Sequence, residues 1–129
     1  MINMGKYVDG FVLVVPKDKT EEYKKMAEEG KETWMRHGAL EYFECIGDDL
    51  EPKEMDGMKP LGFTNMAKAG PDETVWFSFI VFQSKEHRDE VNKKVMDEMN
   101  EKYKDAKDMP MPMDMQRMAY GGFNVEVEG

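Results

Sequence analysis

The stretch Thr74–Gln83 constrains this chain more than any other. Side chains alternate along a strand, so Val75, Phe77, Phe79 and Val81 share one face while Trp76, Ser78, Ile80 and Phe82 share the other. Strands that are apolar on both faces are covered on both faces. One layer of helices satisfies only one of them. A bare second face would expose a larger apolar patch than single soluble chains usually carry. The economical cover is a second copy, sheet against sheet, in a two-fold homodimer. The alternative is that the chain's own 48–62 segment folds over the sheet.

The remaining elements follow from periodicity and punctuation. Lys6–Val15 reads as a strand ended by Pro16, which has no N–H for the ladder. Asp18 with Glu21 three positions on has the spacing of a capping box. Tyr23, Met26, Ala27, Gly30, Trp34 and His37 then recur at steps of three and four, one face of an amphipathic helix. Gly38 stands where a left-handed residue closes a helix. Ala39–Gly47 resumes strand character, with Leu40, Tyr42, Glu44 and Ile46 on one face. The Pro- and Gly-rich 48–62 segment reads as a long loop. Phe63–Ala69 is read as a further strand, joined through the Gly70–Glu73 turn to Thr74–Gln83 as a hairpin. Ser84 is placed as an N-cap, opening a helix to about Tyr103 with His87, Val91, Val95 and Met99 along its apolar stripe. Lys104–Met115 reads as an irregular connector. Gln116–Val127 reads as a last strand interrupted at Gly121-Gly122.

This order is that of the split βαβ arrangement. The expected fold is a single α+β domain over residues 1–129, ferredoxin-like βαββαβ with an antiparallel sheet, paired as a dimeric α+β barrel. A chain of 129 residues is long enough for one core without metal or disulfide staples. Its formal net charge of −9 repels phosphate backbones and anionic membranes. RNA-recognition modules share this element order, but they need basic residues around the stacking aromatics, and Thr74–Gln83 has none. No nucleic-acid or membrane partner is expected. One cysteine, Cys45, excludes an intrachain disulfide, and no stretch resembles a signal peptide or a membrane span. The expected compartment is the cytoplasm.

Asp9 sits inside an apolar strand beside Gly10, at a position read as a bulge, and its carboxylate there requires a partner. Glu44 is similarly placed. Arg88 and Arg117 are the candidate counterions. With Asn92 and Tyr120, these residues either edge a ligand pocket in which a carboxylate acts as base, or form ion pairs pinning helix to sheet. The two histidines, His37 and His87, belong to no metal motif. Cys45 lacks the setting of a nucleophile and reads as a small buried hydrophobe. Soft thioethers select Cu(I), and Met109, Met111, Met113 and Met115 alternate along the connector, but the 14 methionines extend over the whole chain and suit gap-filling. No metal and no cofactor is expected.

Several phrases together resemble the bacterial family catalogued as domain of unknown function 1428, also written DUF1428. They are Tyr7-Val8-Asp9-Gly10-Phe11-Val12, Gly38-Ala39-Leu40, Glu44-Cys45, Ser84-Lys85-Glu86-His87-Arg88-Asp89, Asn92, and Arg117-Met118-Ala119-Tyr120-Gly121-Gly122-Phe123. The resemblance implies a dimeric α+β barrel and brings no established catalytic residues with it. The wider superfamily includes cofactor-independent monooxygenases, haem-degrading enzymes and ligand-binding modules, and one fold hosts many activities. The expected function is binding of a small apolar or aromatic molecule in a sheet–helix pocket edged by Asp9, Glu44, Arg88, Asn92, Arg117 and Tyr120. The alternatives are a cofactor-independent monooxygenase-like enzyme and a structural protein without a ligand.

Overall fold

A computed structural model describes residues 5–106 and 111–129. The elements are β1 (Tyr7–Pro16), α1 (Thr20–Arg36), β2 (Glu41–Ile46), α2 (Phe63–Ala67), β3 (Glu73–Phe82), α3 (Lys85–Lys102) and β4 (Ala119–Asn124). The four strands form one sheet in the order β2-β3-β1-β4, with every neighbouring pair antiparallel. Two long helices, α1 and α3, cover one face. This is the ferredoxin-like α+β architecture expected from the element order.

Register decides what each strand buries. On β1 the odd residues Tyr7, Asp9, Phe11, Leu13 and Val15 face the helices; the even residues face away. Trp76, Ser78, Ile80 and Phe82 of β3 sit beneath the same helices, all of them buried. Leu13, Val15 and Trp76 pack with Tyr23 and Ala27 of α1, whereas Ile80 and Phe82 pack with Val91 and Val95 of α3. The helix periodicity and the strand periodicity thus meet in one apolar layer.

The opposite face divides in two. At one end Val14 and Val75 are buried beneath Ala67 of α2 and Leu50. The chain's own 48–69 segment therefore roofs that end. Beyond it the face is largely uncovered: Phe43, Phe77 and Phe123 are 44%, 44% and 61% exposed, although Val81 on the same face is buried. Cys45, free and exposed, lies on this face opposite Phe77, which corrects its reading as a buried hydrophobe.

Other local expectations change as well. Lys17–Lys19 form a 3-10 turn running straight into α1, so Asp18 is not an N-cap; the cap position falls on Lys19 and makes no side-chain cap bond. Pro16, with φ of −56°, starts the turn immediately after the strand and leaves no extended residue for a capping box. Phe63–Ala67 is a helical turn rather than a strand. Its i,i+4 spacing drops Ala67 onto Val14 and Val75, and Lys68 closes the turn in the left-handed region at φ 57°. No Phe63–Gln83 hairpin forms. Asp9-Gly10 is not a bulge, since both residues pair in unbroken register with β3 and β4. The last strand is shorter than expected, because Met115–Arg117 form a 3-10 turn before it. It continues through Gly121-Gly122 without interruption. Gly38 has the positive φ, 114°, expected of it, and Ser84 accepts the His87 N–H at 3.1 Å as the N-cap of α3. Met109 of the methionine-rich connector lies outside the described residues.

Candidate functional site

Two polar constellations sit between the sheet and the helices. The first centres on Asp9, which is 1% exposed. Being at an odd position of β1, it points beneath α3, where Arg88 and Asn92, one turn apart, reach down to it. Arg88 Nη1 donates to Asp9 Oδ1 at 2.6 Å, and Asn92 Nδ2 donates to Oδ2 at 3.1 Å. Trp34 Nε1 of α1 donates to Asn92 Oδ1 at 2.9 Å, tying both helices to the carboxylate. The Arg88 guanidinium also lies 4.9 Å from the centre of the Tyr7 ring and 3.3 Å from the Tyr120 hydroxyl. Burial, and then the charge of Asp9, pushes the Tyr120 phenol above its ordinary pKa. Gly122 faces this cluster, where an added Cβ would meet the Tyr7 ring and would sit 2.9 Å from Arg88 Nη1. Its place in the strand is a close approach of neighbouring side chains.

The second constellation surrounds Glu44 of β2, opposite Ser78 of β3. Its Oε2 accepts from Tyr23 Oη of α1 at 2.7 Å and from Ser78 Oγ at 2.6 Å; its Oε1 accepts from Tyr42 Oη at 3.0 Å. No cation pairs with this carboxylate among the described residues. Burial first, and then the Glu44 charge, holds both phenols well above the ordinary tyrosine range, so each remains a donor. A carboxylate has about four acceptor sites; three are taken, and the free one belongs to Oε1. Glu44 lines a cleft of about 560 Å³ between α1 and the sheet, together with Ala27, Tyr42, Ile46 and Trp76. Its rim carries Glu21, Lys24, Glu28 and Lys31, of which Lys31 pairs with Glu28 at 2.8 Å.

The six residues singled out in the sequence therefore separate. Asp9, Arg88, Asn92 and Tyr120 come together in one closed network. Glu44 stands apart on the cleft wall. Arg117 lies elsewhere, bound to Glu73 at 2.6 Å, to Asp114 at 2.7 Å and to the Lys68 carbonyl at 2.8 Å. Sequence reasoning did not link Tyr23, Tyr42 and Ser78 to Glu44. Tyr42 shares its strand face at i−2, but Tyr23 is reached only through the packing of α1. His37 Nε2 lies 2.8 Å from Glu98, and His87 Nδ1 accepts the Gln83 N–H at 3.0 Å, so both rings have structural partners. Among the described residues no group of three or more His, Cys, Asp or Glu is arranged to hold a metal ion, and no helix is long and apolar enough to cross a membrane.

Comparison with known proteins places this geometry in a family. The model of the family described as protein of unknown function (DUF1428) matches residues 6–115, which take in β1 through α3, the Glu44 constellation, and Asp9, Arg88 and Asn92 of the first. The chain belongs to the DUF1428 family. It is 42% identical over 118 residues to the uncharacterised protein YbaA of Escherichia coli (strain K12), a match covering 92% of this chain and 94% of YbaA. YbaA of Shigella flexneri matches equally. Among solved structures, the one described as "Putative antibiotic biosynthesis monooxygenase from Nitrosomonas europaea" superposes with a TM-score of 0.51 at 12% identity, over 98% of this chain and 95% of that one. At that identity the likeness is one of fold. The DUF1428 chain shares its ferredoxin-like layering.

Proposed function

We propose that this DUF1428 protein is a cytoplasmic homodimer that binds a small, largely apolar or aromatic molecule in the cleft between α1 and β2. One observation carries the ligand reading: Glu44 is presented on the wall of a cleft beside Ala27, Ile46 and Trp76, with three hydroxyl partners, a free acceptor site and no cationic partner among the described residues. Asp9, by contrast, is closed off from solvent and charge-paired with Arg88. A cavity of a few hundred cubic ångströms with a few convergent polar groups is the usual form of a small-molecule site.

The dimer reading rests on the bare half of the sheet. Phe43, Phe77 and Phe79 form a ridge, and beside it a hollow lies over Gly10, Ala119 and Gly121. A two-fold interface needs knob and hollow on one surface, and this face offers both. A lone free cysteine supports the compartment. Melting the wild-type protein against a metabolite panel tests the ligand reading, since a bound ligand raises the midpoint by mass action. The expected result is a shift that Glu44→Gln reduces; a panel of apolar and aromatic compounds with no effect overturns it.

The same cleft supports a second reading, a monooxygenase-like enzyme working without a cofactor, in which Glu44 takes a proton from the substrate. What favours it is a carboxylate on the cleft wall whose Oε1 accepts only one hydrogen bond, from Tyr42. Oxygen uptake on addition of the panel compounds, lost in Glu44→Gln, is the distinguishing measurement.

A further inference from the structure

We infer that the ligand of the Glu44 cleft is a cation, specifically a small molecule joining an aromatic or alkyl body to a protonated amine or amidine. This rests on the proposal that the cleft is a ligand site and adds the charge of what it holds. The polar wall consists of a carboxylate whose three bound groups are neutral donors, two phenols and one alcohol. They satisfy lone pairs but leave the negative charge without an ion-pair partner among the described residues. A neutral ligand entering the cleft would strip water from that charge and return a hydrogen bond without a counter-charge. An ammonium group supplies the missing counter-charge together with a hydrogen bond to the open site on Oε1, joining both charges in one contact.

The rim does not oppose this sign. Its charges are two glutamates and two lysines, and Lys31 is already engaged by Glu28. Glu44 is left as the excess, within a chain of formal net charge −9 that draws cations toward it. Ala27, Ile46 and Trp76 provide the apolar surface for the rest of the molecule. An anion would meet Glu44 directly and be repelled.

Three probes of nearly equal shape separate the possibilities: phenethylamine, 2-phenylethanol and 3-phenylpropanoate. Each is titrated into the wild-type protein to millimolar concentration, with binding read from amide chemical shifts of Ala27, Tyr42 and Trp76. Phenethylamine is expected to bind about tenfold or more tightly than the alcohol, with the acid weakest, and added salt should narrow the gap. In Glu44→Gln the amine's advantage should fall to within about twofold. Equal or tighter binding of the alcohol at the same amides overturns the cation while leaving the cleft as a ligand site. No perturbation of those amides by any probe overturns the cleft reading and the cation with it. The wild-type ratios decide the matter even where Glu44→Gln does not fold.

Discussion

Asp9 on the central strand and Arg88 on the first turns of α3 are 79 residues apart in sequence and 2.6 Å apart in space. Asp9 is 1% exposed and the Arg88 side chain 14%. The pair fixes how α3 sits on the sheet, and Asn92 and Trp34 extend the same tie to α1.

Removing one partner of a buried pair strands the other as an uncompensated charge, which costs about 3–5 kcal/mol. Arg88→Met should therefore lower the unfolding free energy by about that amount in a urea titration. The double variant Asp9→Leu with Arg88→Met should be much closer to wild type than Arg88→Met alone, because no charge is left buried. A double variant as unstable as the single one would contradict this account.

Gly122 is required by the same cluster. Its Cα faces Tyr7 and Arg88 so closely that a methyl group forces the Tyr7 ring to move. Gly122→Ala should cost about 1–3 kcal/mol. Tyr7→Phe removes the hydroxyl that the methyl would strike, so the double variant should lose less than the two single losses added together.

Ser84 caps α3 through the His87 N–H. Ser84→Ala should destabilise by about 1 kcal/mol, and Ser84→Asp should restore most of it. Urea midpoints for the three proteins give the comparison.

Two surface carboxylates set the acid response. Arg117, with the Gly70 N–H, holds Glu73 down to about 2 from an ordinary 4.5. Arg36, with His37, does the same for Glu98. A depressed carboxylate contributes stability that is complete above the unfolded value and is lost as pH falls toward the folded one. The denaturation midpoint should thus decline between pH 4.5 and 2. Glu73→Gln and Glu98→Gln should each flatten that decline.

Adjacent residues of β3 should fail differently. Phe77 lies on the bare face and Trp76 under α1, so Phe77→Asp should leave a folded chain whose light-scattering mass drops from twice 15.0 kDa to 15.0 kDa. Trp76→Asp puts a charge in the core and should prevent folding. A wild-type mass of 15.0 kDa at micromolar concentration would remove the dimer from the proposal.

Alternation in β1 and β3, the three- and four-residue steps of α1 and α3, and the stops at Pro16, Gly38 and Ser84 were legible in the sequence because they arise from contacts within a few residues. Periodicity and these stops together assigned the order of the long elements, and with it the ferredoxin-like layering. It misjudged Phe63–Ala67 and Asp18, where short segments take the conformation that packing or a preceding turn imposes. The partners of the ionisable residues were a matter for tertiary structure. Asp9, Glu44, Arg88 and Arg117 were identifiable as charges needing company, but pairing Asp9 with Arg88, and Arg117 with Glu73, depends on strand register and helix placement. So does the gathering of Tyr23, Tyr42 and Ser78 around Glu44. Local chemistry sets which elements form; which charges meet a cation and which meet only hydroxyls is decided when those elements are laid against one another.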